Sequence, residues 1–221
     1  MEELPKINII YEDNHLLVVE KPVNIPVQED KSKDIDMIKI LKEYRIKKEN
    51  KPKDAYIGLV HRLDRPVGGI MVFAKTSKAS ARLSKQIQDH SFCKTYLAVV
   101  KGTLPKKGIL EDYLIKNKET NISSTTTKEK GKYSKLEYKV LKEKNNLSLV
   151  EINLITGRSH QIRVQFSSRN HPLLGDSKYG KNKENINIAL FAKAITFTHP
   201  TTKEKLTFEI DIPNKYPFNI F

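Results

Sequence analysis

The chain has no tryptophan, one cysteine, three methionines and nine glycines in 221 residues. A single thiol, Cys93, excludes an intrachain disulfide and fits a reducing compartment. It also removes the several thiolates on which a structural Cys/His zinc site is built. No apolar run approaches the roughly 20 residues that span a bilayer. The first residues, MEELPKINII, are acidic and carry no apolar h-region, so no signal peptide is expected and the chain is assigned to the cytoplasm, away from membranes. HExxH, EF-hand, Walker A and GxGxxG patterns are all missing, and GRSHQ (157–161) lacks the spacing of a GxSxG elbow. Neither a metal nor a nucleotide cofactor has support in the sequence.

Positive charge, in contrast, is abundant. Forty Lys and Arg face 26 Asp and Glu, a net charge of +14, with a pI near 9.6. Such a chain favours polyanions, although a composition rich in Lys, Asn and Ile raises the charge by itself. The length suffices for one large domain or two small ones with a real core. No internal repeat or strong boundary interrupts it, so residues 1–221 are read as one domain, with a monomer as the default.

Strand-like runs open the chain at INIIYE (7–12) and HLLVVEK (15–21), with EDN as the turn between them and KP ending the second. Residues 34–47 read as a helix, followed by a Lys-rich linker, KKENKPKD. IMVFAK (70–75) reads as a buried strand. Ser77 is a plausible N-cap for a helix over 78–89, with Ala79, Leu83 and Ile87 as its apolar stripe and Lys78, Arg82 and Lys85 on another face. CKTYLAVVKG (93–102) is a strand. Residues 105–132 are polar and read as a hairpin followed by a mobile loop. YSKLEYKVL and LSLVEINLI are strands around KNN, and TGRSHQIRVQF reads as a helix opening after Gly157. LFAKAITFTHP and KLTFEIDIP form a hairpin at the end. Strands outnumber helices without alternating regularly, which implies an α+β fold with a mixed, mainly antiparallel sheet.

Three clusters could carry chemistry. In HRLDRPVGG (61–69), charged groups crowd beside a turn between apolar runs. An extended run would put Arg62 and Asp64 on one face and His61 and Leu63 on the other. Pro66 then begins a turn that Gly68 and Gly69 relax. Asp64 reads either as a turn carboxylate paired with Arg62 or Arg65, or as a reactive group at the lip of a cleft. In TGRSHQIR (156–163), a helix would set Ser159 and Arg163 one turn apart with His160 close by. Arginines at the start of a buried helix need carboxylate or phosphate partners, because the dipole there favours anions; surface arginines are the plainer reading. Lys94-Thr95-Tyr96 begins a strand, and Tyr96 is either a core tyrosine or a platform for a planar ring.

Taken together, EDNHLLVVEKP, HRLDRPVGGIMVFAKTSKA, KTYLAVVKG, ITGRSHQIRVQ and HPLLGDSKYG resemble the RluA-type pseudouridine synthase family, in the family's order and over roughly residues 8 to 180. The resemblance implies the pseudouridine synthase fold, α+β with flanking helices and a central RNA-binding cleft. It implies an isomerase of the intramolecular-transferase kind that converts uridine to pseudouridine in rRNA or tRNA, with no cofactor or metal. The family's aspartate nucleophile falls on Asp64, its tyrosine on Tyr96, and the basic partner of the aspartate on Arg163 rather than Arg158. Arg62 matches the arginine that occupies the space left by the flipped base. His61 and Arg158 are carried as RNA contacts, and Leu154 as pocket wall. Where members often have Thr-Ser-Gly after HRLD and one variable pair, this chain has Val67-Gly68-Gly69. KPxG reads KPVN, and Asn24 can hold the left-handed geometry of a glycine. No room is seen before residue 8 for the S4-like domain of some members, so a structured stem-loop becomes the expected target. Two other readings remain: a catalytically silent RNA-binding module on the same scaffold, and a glycosidase-like hydrolase, for which a second carboxylate beside Asp64 is not evident.

Overall fold

The computed structural model describes residues 4–30, 32–50, 54–180 and 185–221. Their backbone falls into two compact units, residues 1–92 with 194–210 and residues 93–193 with 211–221. Lys51, Pro52 and Lys53 of the expected linker lie outside the described residues.

The first unit opens with β1 (Asn8–Glu12) and β2 (Leu16–Lys21), an antiparallel pair. Asp13 closes their turn by accepting the His15 and Leu16 backbone N–H groups at 2.7 Å each. α1 follows (Met37–Glu49). It starts three residues later than the apolar spacing predicts, because Asp36 caps it through the Lys39 N–H. A two-residue strand, β3 (Gly58–Leu59), pairs with β4 (Gly68–Ala74), which also pairs antiparallel with β2. α2 (Ser77–Gln88) is capped by Thr76, whose hydroxyl accepts the Ala79 N–H, so Ser77 is the first helical residue and not the expected cap. β10 (Leu190–Thr198) and β11 (Lys205–Glu209) form the expected hairpin, and the strand order here is β1-β2-β4-β10. Leu16, Val18, Ile70, Val72, Leu83, Phe92, Ile195 and Phe197 make its core. β2 and β4 are buried on both faces, which is why they read as unbroken apolar runs and not as alternating ones.

The second unit runs β5-β9-β8-β6-β7. β5 (Cys93–Lys101) pairs with β9 (Leu147–Leu154), and β9 with β8 (Lys132–Lys144). Asn145 and Asn146, with φ of 52° and 57°, make the two-residue turn between β8 and β9. Positive φ at both positions is what a type I′ hairpin needs, and asparagine tolerates it. β6 (Lys107–Asn117) and β7 (Ile122–Thr126) are the hairpin expected after residue 105. The expected mobile loop is instead a tight turn, 127–131, in which Thr127 O accepts the Lys130 and Gly131 N–H groups. Polar composition concealed strand pairing, because β6 and β7 leave most of their side chains in solvent.

α3 (Gln161–Ser167) is shorter than the predicted helix and begins later. His160 sits at φ 53°, in left-handed geometry that a continuing helix cannot hold. Arg158, Ser159 and His160 therefore belong to a turn and only Arg163 is helical, which corrects the one-turn spacing of Ser159 and Arg163. The architecture is α+β, a mixed and mainly antiparallel sheet with three α-helices among the described residues. No helix among them is long and apolar enough to cross a membrane.

Candidate active site

The first unit presents HRLD on an irregular run between β3 and β4. Asp64 is half-buried and stands at the start of a turn closed by the Val67 N–H on the Asp64 carbonyl at 2.9 Å. Gly68 and Gly69 lie in β4 and not in the turn. They are needed there for another reason. A Cβ at Gly68 would come within 3.2 Å of Lys21 O, and Gly69 holds φ 125°.

Beneath the turn lies Lys21, 1 % exposed. Its ammonium donates to the carbonyls of Pro22 at 2.8 Å, Arg65 at 3.1 Å and Val67 at 2.8 Å, so one buried cation ties down both ends of the segment that follows Asp64. Burial pushes its pKa down to about 8, and the nearby Asp64 charge opposes that fall. The sequence reading treated Lys21 only as the end of a strand. The signal was there: a cation at the end of a strand whose first four residues, LLVV, are all apolar.

Arg65 does not serve Asp64. Its guanidinium pairs with Asp34, donates to Ser32 Oγ at 3.0 Å, and sends Nε to Asn24 O at 3.0 Å. Asn24 adopts φ 66°, as expected for the residue standing where the family has glycine, and its N–H reaches Arg65 O at 2.8 Å. Arg62 is exposed, and its guanidinium makes no hydrogen bond or ion pair among the described residues. His61 is half-buried. Its Nε2 accepts the Val72 N–H at 3.2 Å and its ring packs 5.5 Å from Phe92, so the imidazole fastens HRLD to β4.

The second unit places Tyr96 and Leu154 in its interior, 6 % and 7 % exposed, on the adjacent strands β5 and β9. Residues 156–161 fold back on themselves. Gln161 Oε1 accepts both the Thr156 hydroxyl and the Arg158 N–H, at 2.8 and 3.0 Å. Arg158 is exposed and sends Nε to Tyr133 O at 2.9 Å.

Arg163 is 4 % exposed, and its carboxylate partner within the unit is Asp176, bound through Nε at 2.8 Å and Nη2 at 2.6 Å. That two-pronged geometry fixes the plane of the guanidinium. Asp176 also accepts the Lys178 and Tyr179 N–H groups. The Tyr179 ring lies 5.1 Å from the guanidinium carbon, and its hydroxyl meets His160 Nδ1 at 2.7 Å and the Ser123 N–H at 2.8 Å. The expectation that an arginine buried in this helix needs a carboxylate is met by Asp176. Neither Asp176 nor Tyr179 had been singled out, although GDSKYG carried both. Among the described residues, no three His, Cys, Asp or Glu side chains are grouped to hold a metal ion.

The family model for RNA pseudouridylate synthases matches residues 15–168. Ribosomal large subunit pseudouridine synthase C of Buchnera aphidicola subsp. Baizongia pistaciae is 34 % identical over 221 residues, covering 95 % of this chain and 68 % of that protein. Ribosomal large subunit pseudouridine synthase D of Neisseria meningitidis serogroup B is 33 % identical, over 94 % of this chain and 59 % of that protein. The chain spans about two thirds of the length of the curated relatives it matches. Among solved structures, human RNA Pseudouridylate Synthase Domain Containing 4 superposes with a TM-score of 0.79 at 20 % identity, over 93 % of this chain and 88 % of that one. That likeness concerns the fold.

Proposed function

The chain belongs to the RNA pseudouridylate synthase family, and from that premise we propose that it isomerises uridine in ribosomal RNA, with Asp64 as nucleophile on a flipped-out base. The ribosomal substrate is supported by the names of relatives such as the Buchnera enzyme. The nucleophile assignment is carried by one observation: the arginine next to Asp64 is withdrawn to Asp34 while Lys21 braces the turn from below. A carboxylate kept only for a local ion pair with Arg65 would not leave that arginine to another acid.

The reaction breaks the N1–C1′ bond, turns the uracil and joins C5 to C1′; the C5 proton leaves and N1 gains one, with no change of oxidation state and so no call for a redox cofactor. A stacked uridine cannot offer its ring to an enclosed carboxylate, and unstacking costs a few kcal/mol, least in a loop. Arg62, exposed and uncommitted among the described residues, stacks in the gap and meets phosphate. Tyr96 lies under the target base and handles the C5 proton. Arg163, its plane set by Asp176, supports the ionised form of Asp64. Leu154 walls the pocket, and Arg158 and His61 contact the RNA. The two units act together as one catalytic domain and as a monomer, on a stem-loop of rRNA; tRNA is a second class of target. On this reading the protein acts in the cytoplasm.

Ribosomal RNA transcripts tritiated at uridine C5 test the reading. The wild-type chain releases tritium and leaves pseudouridine, and Asp64→Ala does neither. Binding without release would favour a silent RNA-binding module, and free uracil in place of pseudouridine a hydrolase.

A further inference from the structure

β5 carries a second buried group beside Tyr96. Lys94 is 7 % exposed, two positions before Tyr96 on the same strand and hence on the same face. No hydrogen bond or ion pair of its ammonium is found among the described residues, and the ammonium is the part of the side chain that keeps contact with solvent. Most buried lysines have partners, and Lys21 in this same chain has three carbonyls. Burial holds the Lys94 ammonium below the usual lysine range, and the neighbouring Cys93 thiol opposes that fall.

The end of the side chain is located by its neighbour. A Cβ on Gly157 would stand 3.2 Å from Lys94 Nζ, so the ammonium lies against the loop 156–160, and the missing side chain at 157 leaves it room. Register agrees. Thr95 pairs with Asn153, which sets Lys94 one step further along, opposite Leu154. Lys94, Tyr96, Leu154 and Gly157 thus border one spot within the second unit.

We propose that Lys94 is a substrate-binding residue whose missing partner is a backbone phosphate of the RNA at the target nucleotide. A phosphate supplies the full negative charge that a desolvated ammonium lacks, and Gly157 lets it approach. The inference rests on the RNA-modifying reading and extends it to a contact that neither the resemblance nor the comparisons assign.

Lys94→Met is the informative variant, because methionine keeps the buried stem and deletes the charge. The free protein melts at the same temperature or higher. Binding to oligouridylate weakens by about tenfold or more, as for loss of a charge-assisted hydrogen bond. The log–log salt slope becomes shallower by about 0.7, the value of one phosphate contact on single-stranded RNA. Lys94→Arg retains the slope. A lower melting temperature in Lys94→Met overturns the proposal, since the lysine then serves the fold. So does unchanged affinity, or weaker affinity with an unchanged slope, which would mean contact with an uncharged group. Tritium release separates this from the broader reading. An active wild-type protein with an unaltered Lys94→Met slope rejects only the lysine. A wild-type protein that binds and releases nothing rejects the catalytic assignment, and the slope still decides Lys94.

Discussion

The turn at Asp64 and the helix at Arg163 display their charged groups by opposite means. The turn is braced through its backbone: Lys21, from β2, donates to three carbonyls, and the Asp64 side chain is no part of that brace. At α3 the brace runs through the side chains. Arg163, Asp176, Tyr179 and His160 hold one another, and Gln161 and Gln165 hold the loop and β6. A group displayed by a backbone brace can be altered with little cost to folding. One that is itself the brace cannot.

The sharpest way to break that contrast is to delete the two carboxylates. Asp64→Ala is expected to cut tritium release by about a thousandfold or more, as loss of a nucleophile does. Its urea-unfolding free energy should fall by less than that of Asp176→Ala, because Lys21 still braces the turn. Asp176→Ala should do the reverse. It strands a guanidinium that is 4 % exposed, at about 3–5 kcal/mol, and a drop in urea midpoint should accompany whatever activity is lost. Equal loss of stability in both variants would erase the distinction.

Lys21→Met tests the backbone brace itself. It leaves three carbonyls without their donor, for about 1–3 kcal/mol, and turnover should fall more than RNA affinity because the turn, not the RNA contact, is loosened. The titration of Lys21 carries a sign that separates fold from function. Its folded-state value, about 8, lies below the ordinary 10.5. The unfolded chain therefore keeps the proton longer, and this group's contribution to stability rises from pH 8 toward 10.5. Deprotonation nevertheless removes one of three N–H donors. Turnover should decline above about pH 8 while the Lys21 contribution to the melting temperature does not, a divergence absent from Lys21→Met. The smallest effect is expected at Asn24, which holds φ 66° behind the turn. Asn24→Ala should cost about 1–2 kcal/mol and Asn24→Gly much less, read by thermal melts, because only the alanine is strained in left-handed geometry.

Much of this was legible in the amino-acid order. Most strands lie where apolar runs and turn residues put them, since burial on a pleated surface is a local pattern. HRLD, KTY and TGRSHQIR stood out as candidates because charged residues interrupt apolar context. Errors gathered where local rules compete. Thr76 and Ser77 are both good caps, and the choice falls to whichever hydroxyl reaches the third N–H along. The helix drawn from Gly157 starts at Gln161 because His160 turns left-handed and Gln161 folds back to cap the loop.

The sequence by itself determined the charge, the absence of disulfides, the α+β class and the family to which its motifs belong. Tertiary structure alone decided the partners: Asp34 for Arg65, Asp176 for Arg163, three carbonyls for Lys21 and none among the described residues for Lys94. Periodicity reports which face of an element is buried. Which of 26 acids meets which of 40 bases depends on loops tens of residues apart being brought to within about 3 Å, and no local pattern encodes that.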